Sequence, residues 1–83
     1  MAKLELELFG TSSCSLCDKA EALLGDLLAE GYDWCIEQID IVDDDANLAK
    51  YAFSIPVLRK VSGGEELCWP FDQKEVVAFI KGV

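Results

Sequence analysis

Two cysteines separated by two residues, Cys14-Ser15-Leu16-Cys17, stand where an alternating apolar run gives way to a helical one. That junction constrains the chain more than any other feature. Upstream, Leu4, Leu6 and Leu8 alternate with Glu5 and Glu7, so residues 3–9 read as a strand with one wetter face. Gly10-Thr11-Ser12-Ser13 breaks the strand and supplies capping hydroxyls. Downstream, Leu16, Ala20, Leu23, Leu24, Leu27 and Leu28 recur at helical spacing, and the helix runs to about Glu30 before Gly31 stops it. A helix start brings both sulfurs of such a pair close enough to close a ring. The first sits at the exposed end and the second about one turn inside.

The remaining elements follow from the same periodicities. Trp34 to Ile39 reads as a second strand. Asp43-Asp44-Asp45 opens a short helix, since acids suit its positive end, with Leu48, Ala49, Ala52 and Phe53 as its buried side. Ile55 to Val61 is a third strand, and Gly63-Gly64 turns it into a fourth, Glu65–Trp69, ended by Pro70. Asp72-Gln73-Lys74-Glu75 fits a capping box for a last helix whose apolar face is Val76, Val77, Phe79 and Ile80. The order is β-α-β-α-β-β-α in one domain over residues 1–83, with no repeat or linker.

Composition narrows the chemistry. The net charge is −9 and there is no histidine. The acidic balance counts against nucleic acid and against anionic membranes, both of which need clustered Lys and Arg. Without histidine the usual general base and commonest metal ligand are missing, so chemistry has to run on cysteine or carboxylate. No apolar run approaches the roughly 20 residues of a membrane span, and interleaved acids break any signal-peptide core at the N-terminus. A cytoplasmic monomer is the expectation. Zinc would need two ligands beyond Cys14 and Cys17; Cys35 and Cys68 lie mid-strand among bulky neighbours and read instead as buried small hydrophobes, so no metal is expected. Adjacent Arg59 and Lys60 read as a solvated strand face. Trp34 and Trp69 read as packing residues, and Tyr51 and Phe53 as core or groove lining.

In a C-x-x-C pair the thiolate of one cysteine attacks a disulfide and the second thiol releases the mixed disulfide. Cys14 is the expected nucleophile and Cys17 the resolving thiol. The helix N-terminus favours an anion there by about 0.3–2 kcal/mol. Asp18 and the net charge oppose it, a modest activation that suits an exchange or reductant-like role more than a strong oxidant. Thr11 and the backbone amides around Ser15 are candidate hydrogen-bonding partners of the sulfur.

The segment Leu4–Phe9 with Gly10-Thr11-Ser12-Ser13-Cys14-Ser15-Leu16-Cys17-Asp18 resembles the redox-site opening of glutaredoxin-like proteins. Ile39-Asp40-Ile41-Val42-Asp43-Asp44-Asp45-Ala46-Asn47-Leu48, Tyr51 and Ser54-Ile55-Pro56-Val57-Leu58 strengthen the likeness. Together they look most like the small glutaredoxin-like family first grouped as a conserved domain of unknown function. The resemblance implies an α/β thioredoxin/glutaredoxin-like fold, βαβαββα, with a four-stranded mixed sheet flanked by three helices. It implies a cis peptide before Pro56 and a backbone at Ile55 free to pair with an extended substrate; taken alone, Pro56 also fits the start of an edge strand.

Glutathione-using glutaredoxins carry a Lys shortly before the cysteine pair, and this chain has Phe9-Gly10-Thr11-Ser12-Ser13 there. Their Gly-Gly and acidic pair follows the fourth strand; here Gly63-Gly64 precedes it, and Cys68-Trp69-Pro70-Phe71-Asp72 follows. No bound cofactor is expected, and glutathione stands only as a candidate reductant. The expected function is dithiol–disulfide exchange on a disulfide-containing protein or a small thiol substrate. Two other readings remain open. A non-catalytic thioredoxin-fold binding module would label Cys14 with iodoacetamide no faster than a model thiol. An iron–sulfur carrier would take up colour on anaerobic reconstitution.

Overall fold

A computed structural model describes residues 4–82. The chain runs β1 (Leu4–Gly10), α1 (Ser15–Ala29), β2 (Trp34–Asp40), a 3-10 turn (Ile41–Asp43), α2 (Asp45–Tyr51), β3 (Val57–Lys60), β4 (Glu66–Cys68) and α3 (Gln73–Lys81). The sheet order is β2-β1-β3-β4. β1 and β2 are parallel, joined through α1; β3 runs antiparallel to β1, and β4 to β3. The element order is the one the sequence pattern predicts, and the mixed four-stranded, three-helix arrangement is the one the family resemblance implies.

Strand alternation sorts the core into two. Leu6, Leu8, Trp34 and Leu58 face one way and pack with Ala20, Leu24 and Leu27 of α1, with Val76 of α3 and with Phe71. Phe9 and Val57, one residue out of phase, face the other way and pack with Ile41 and Tyr51. Each helix start is capped by an acid or by Cys14. Asp44 Oδ1 accepts from the amides of Ala46 and Asn47. The Asp72–Glu75 box is reciprocal, at 2.7 and 3.2 Å. Gly63 and Gly64 have φ of 94° and 76°, a left-handed pair that residues with a Cβ rarely adopt. They sit inside a turn over residues 61–65, so β3 and β4 are shorter than the sequence pattern suggested. The Ile55–Pro56 and Trp69–Pro70 peptides are cis. No described helix is long and apolar enough to cross a membrane.

Several sequence expectations fail here for physical reasons. α2 has only two turns, and Tyr51 alone fills the space beneath it. Leu48 and Ala49 therefore face solvent, Ala52 is only half-buried and Phe53 is fully exposed. Leu16 and Leu28 lie at the borders of the α1 stripe and are exposed. Cys35 and Cys68 are exposed as well, not buried. Both lie on the outer strands, β2 and β4. Cys35 pairs with Glu5 near the start of β1, whereas the apolar cluster on that face gathers around Phe9 at its end. Arg59 and Lys60 do not share a solvated face, because successive strand residues point to opposite sides. Arg59 bonds Glu7 at 2.6 Å. Lys60 is 9% exposed, lays its ammonium 4.8 Å over the Phe79 ring and reaches Glu65 at 3.9 Å.

Candidate functional site

The strand-to-helix junction holds the two cysteines as expected from their spacing. Cys14 is the N-cap of α1, with extended backbone at φ −102° and ψ 105°. Its Sγ accepts the Cys17 amide at 3.0 Å, in the manner of a capping oxygen. Such a contact favours the anionic sulfur over the neutral one. Cys14 also donates its own N–H to the Thr11 carbonyl at 3.3 Å. Thr11 thus meets the site through its carbonyl, and the amide at the sulfur is that of Cys17 rather than those near Ser15. Cys14 and Cys17 are joined as a disulfide, with their Cα atoms 5.2 Å apart. Cys14 is half-buried, Ser15 and Leu16 are exposed, and Cys17 is 6% exposed.

Gly10 supports the pair from below. A Cβ placed there would lie 2.8 Å from Cys17 Sγ and 3.3 Å from its Cβ. The sequence pattern marks Gly10 only as a strand breaker; the close approach of β1 to the helix start requires a residue without a side chain. Beside it opens a cleft of about 280 Å³ lined by Gly10, Thr11, Cys17, Asp18, Glu21 and Asp40 among others. Gln38 bonds Glu21 across this cleft. Asp40 accepts the Val42 amide and caps the 3-10 turn.

On the other side of the sheet end lies the Ile55-Pro56 segment. Val57 pairs with Phe9, so Ile55 and Pro56 continue β3 backwards beside the end of β1 that leads into Gly10. The Ile55 amide already donates to the Tyr51 carbonyl at 3.2 Å, as the Ser54 amide does at 2.9 Å. The Ile55 N–H is therefore engaged within the chain, where a free backbone was expected. Among the described residues no donor reaches the Ile55 carbonyl. Cys35 and Cys68 stand on opposite edges of the sheet. No described group of three or more His, Cys, Asp or Glu side chains has the arrangement to hold a metal ion.

A polar cluster ties α2 to the sheet. The Tyr51 hydroxyl donates to Glu66, and Lys50 reaches the same carboxylate at 3.3 Å. The Tyr51 hydroxyl, then Lys50 and Arg59, hold the Glu66 carboxyl below its ordinary value of 4.5 despite partial burial. Burial, and then the bond to Glu66, raise the Tyr51 phenol above its ordinary 10.0. A lowered carboxyl contributes stability that is full above its ordinary value and is lost as pH falls through its value in the folded protein. Glu66→Gln is therefore expected to lower the urea midpoint at pH 7. The gap from the unaltered chain should narrow on acidification to about pH 3. A gap constant with pH would show that the carboxylate charge contributes nothing.

A profile for the glutaredoxin-like domain (DUF836) matches residues 5–81. The chain belongs to this family. Among solved structures, a structural-genomics target protein from X. campestris superposes on this glutaredoxin-like domain with a TM-score of 0.81 at 33% identity, covering 94% of this chain and 97% of the other. A Nitrosomonas europaea protein solved by NMR gives 0.79 at 26% identity, covering 95% and 93%. Thioredoxin 1 from Thermosipho africanus gives 0.67 at 25% identity, covering 95% and 92%. No curated protein matches.

Proposed function

We propose that this glutaredoxin-like domain is a dithiol–disulfide oxidoreductase of the cytoplasm, acting as a monomer on disulfide-containing proteins or small thiol substrates. The observation that carries the reading is the Cys14–Cys17 pair at the start of α1, with the Cys17 amide on Cys14 Sγ. In the reduced protein the Cys14 thiolate attacks one sulfur of a substrate disulfide. That S–S bond breaks, the far sulfur leaves as a thiolate and takes up a proton from solvent, and Cys14 is left in a mixed disulfide. Cys17 loses its proton and attacks Cys14 Sγ; the second substrate sulfur leaves as a thiol. The substrate gains two electrons, the protein becomes the Cys14–Cys17 disulfide, and two equivalents of an external thiol such as glutathione restore the dithiol and leave as their own disulfide. Half-exposed Cys14 suits the attacking role and buried Cys17 the resolving one. Ile55 and Pro56 present backbone to the substrate, and Thr11 fixes the loop by accepting the Cys14 amide.

The test is a redox titration in graded glutathione buffers, with thiols trapped by iodoacetamide and mapped by mass. Cys14 and Cys17 are expected to interconvert as a reversible pair. Exposed Cys35 and Cys68 lie outside that pair, and their peptides are mapped separately. Cys14 and Cys17 remaining thiols across the whole range, or glutathione accumulating on Cys14 alone, would overturn the dithiol mechanism.

A further inference from the structure

Tyr51 is the only buried residue of α2, and the helix itself packs chiefly on the 3-10 turn beside it. Its attachment to the sheet rests on two contacts of the Tyr51 side chain, with Lys50 reaching Glu66 from the exposed side at 3.3 Å. The Tyr51 ring stacks on Phe9 with centroids 4.4 Å apart, and its hydroxyl donates to Glu66 on β4. The backbone of the same residue accepts the amides of Ser54 and Ile55. Tyr51 therefore joins three things: the last residue of β1 before Gly10, the edge strand β4, and the segment that carries the Ile55 carbonyl.

We infer that Tyr51, held by Glu66, is a positioning residue that sets the Ile55 carbonyl as a single backbone acceptor, selecting substrates whose disulfide lies beside a peptide N–H. The inference rests on the exchange activity proposed above and specifies its substrate class. With its N–H engaged by Tyr51, Ile55 offers one bond instead of the reciprocal pair of a strand addition. A disulfide within an extended peptide can supply the matching N–H. A disulfide without an amide cannot, and gains nothing from the alignment. Tyr51 is 4% exposed, so it acts from beneath the surface, through the Ile55 segment whose amide its carbonyl accepts.

The experiment compares Tyr51→Phe and Glu66→Gln with the unaltered chain on two substrates, a disulfide-bridged peptide and 2-hydroxyethyl disulfide. Tyr51→Phe keeps the ring stack and loses the hydroxyl. It is expected to lower kcat/KM for the peptide about five- to tenfold, the worth of the one neutral backbone hydrogen bond that Ile55 offers. The loss should appear mainly in KM, with turnover of 2-hydroxyethyl disulfide within about twofold of the unaltered chain. Glu66→Gln, which keeps an acceptor for the Tyr51 hydroxyl, should show only a small part of that loss. Equal losses on both substrates would make Tyr51 merely structural and overturn the inference, as would no loss on either. An unaltered chain inactive on both disulfides would overturn the exchange reading and this inference with it. Amide exchange gives a readout that does not need turnover. The Ser54 and Ile55 amides should exchange several-fold faster in Tyr51→Phe while Leu58 is unchanged, and unchanged protection at Ile55 would overturn the inference.

Discussion

Cys14→Ser is expected to abolish disulfide exchange, whereas Cys17→Ser should leave the first attack intact and trap the substrate on Cys14. The difference follows from geometry. Cys14 is the half-exposed cap of α1, and Cys17 is 6% exposed beneath it. Resolution by Cys17 is intramolecular, and well-oriented pairs of this kind reach effective concentrations of about 10⁵–10⁸ M. No free thiol in solution approaches that, so the mixed disulfide should persist in Cys17→Ser and be seen by intact mass under non-reducing conditions. Either substitution also removes a short disulfide loop, worth about 2 kcal/mol in the chain-entropy picture. An 83-residue chain has roughly 4–12 kcal/mol in all, so both variants should still fold under ordinary conditions. Exchange surviving in Cys14→Ser, or an adduct on Cys17 in place of Cys14, would reverse the assigned roles.

Gly10→Ala is expected to destabilise the protein by about 1–3 kcal/mol, the usual cost of forcing extra atoms into a packed site. The added Cβ would meet Cys17 Sγ at 2.8 Å, well inside contact distance, and Cys17 Cβ at 3.3 Å. Neither neighbour is the free end of a flexible side chain, since the sulfur is tied to Cys14 and the Cβ to α1. Relief requires the end of β1 to part from the start of α1, and that junction carries the redox pair. Urea titration reads the effect directly. A midpoint equal to that of the unaltered chain would mean that the junction yields at no cost, and Gly10 would then be only the end of a strand.

The elements themselves were legible because their signals are local. Leu4, Leu6 and Leu8 against Glu5 and Glu7 mark β1, the spacing from Ala20 to Leu27 marks α1, and Asp72 with Glu75 writes the start of α3. The cysteine pair was legible for the same reason: two residues of spacing at a helix start bring the sulfurs together whatever lies around them. Burial was less legible wherever it depended on what covers an element. Cys35 and Cys68 carry strand signals as apolar as their neighbours, yet both lie on outer strands and are exposed. Leu48, Ala49 and Phe53 make a plausible apolar side for α2, but two helical turns leave room beneath for Tyr51 alone.

The sequence by itself determined the order of elements, the strand-to-helix junction and the thiol pair on it, because periodicity, capping and short-range spacing act within a few residues. Tertiary structure alone decided that Gly10 must lack a side chain, that Ile55 keeps only its carbonyl free, and that Tyr51 and Glu66 meet. Each of those depends on contact between segments distant in the chain, or on how a turn closes in space, and no local pattern encodes which distant atom arrives.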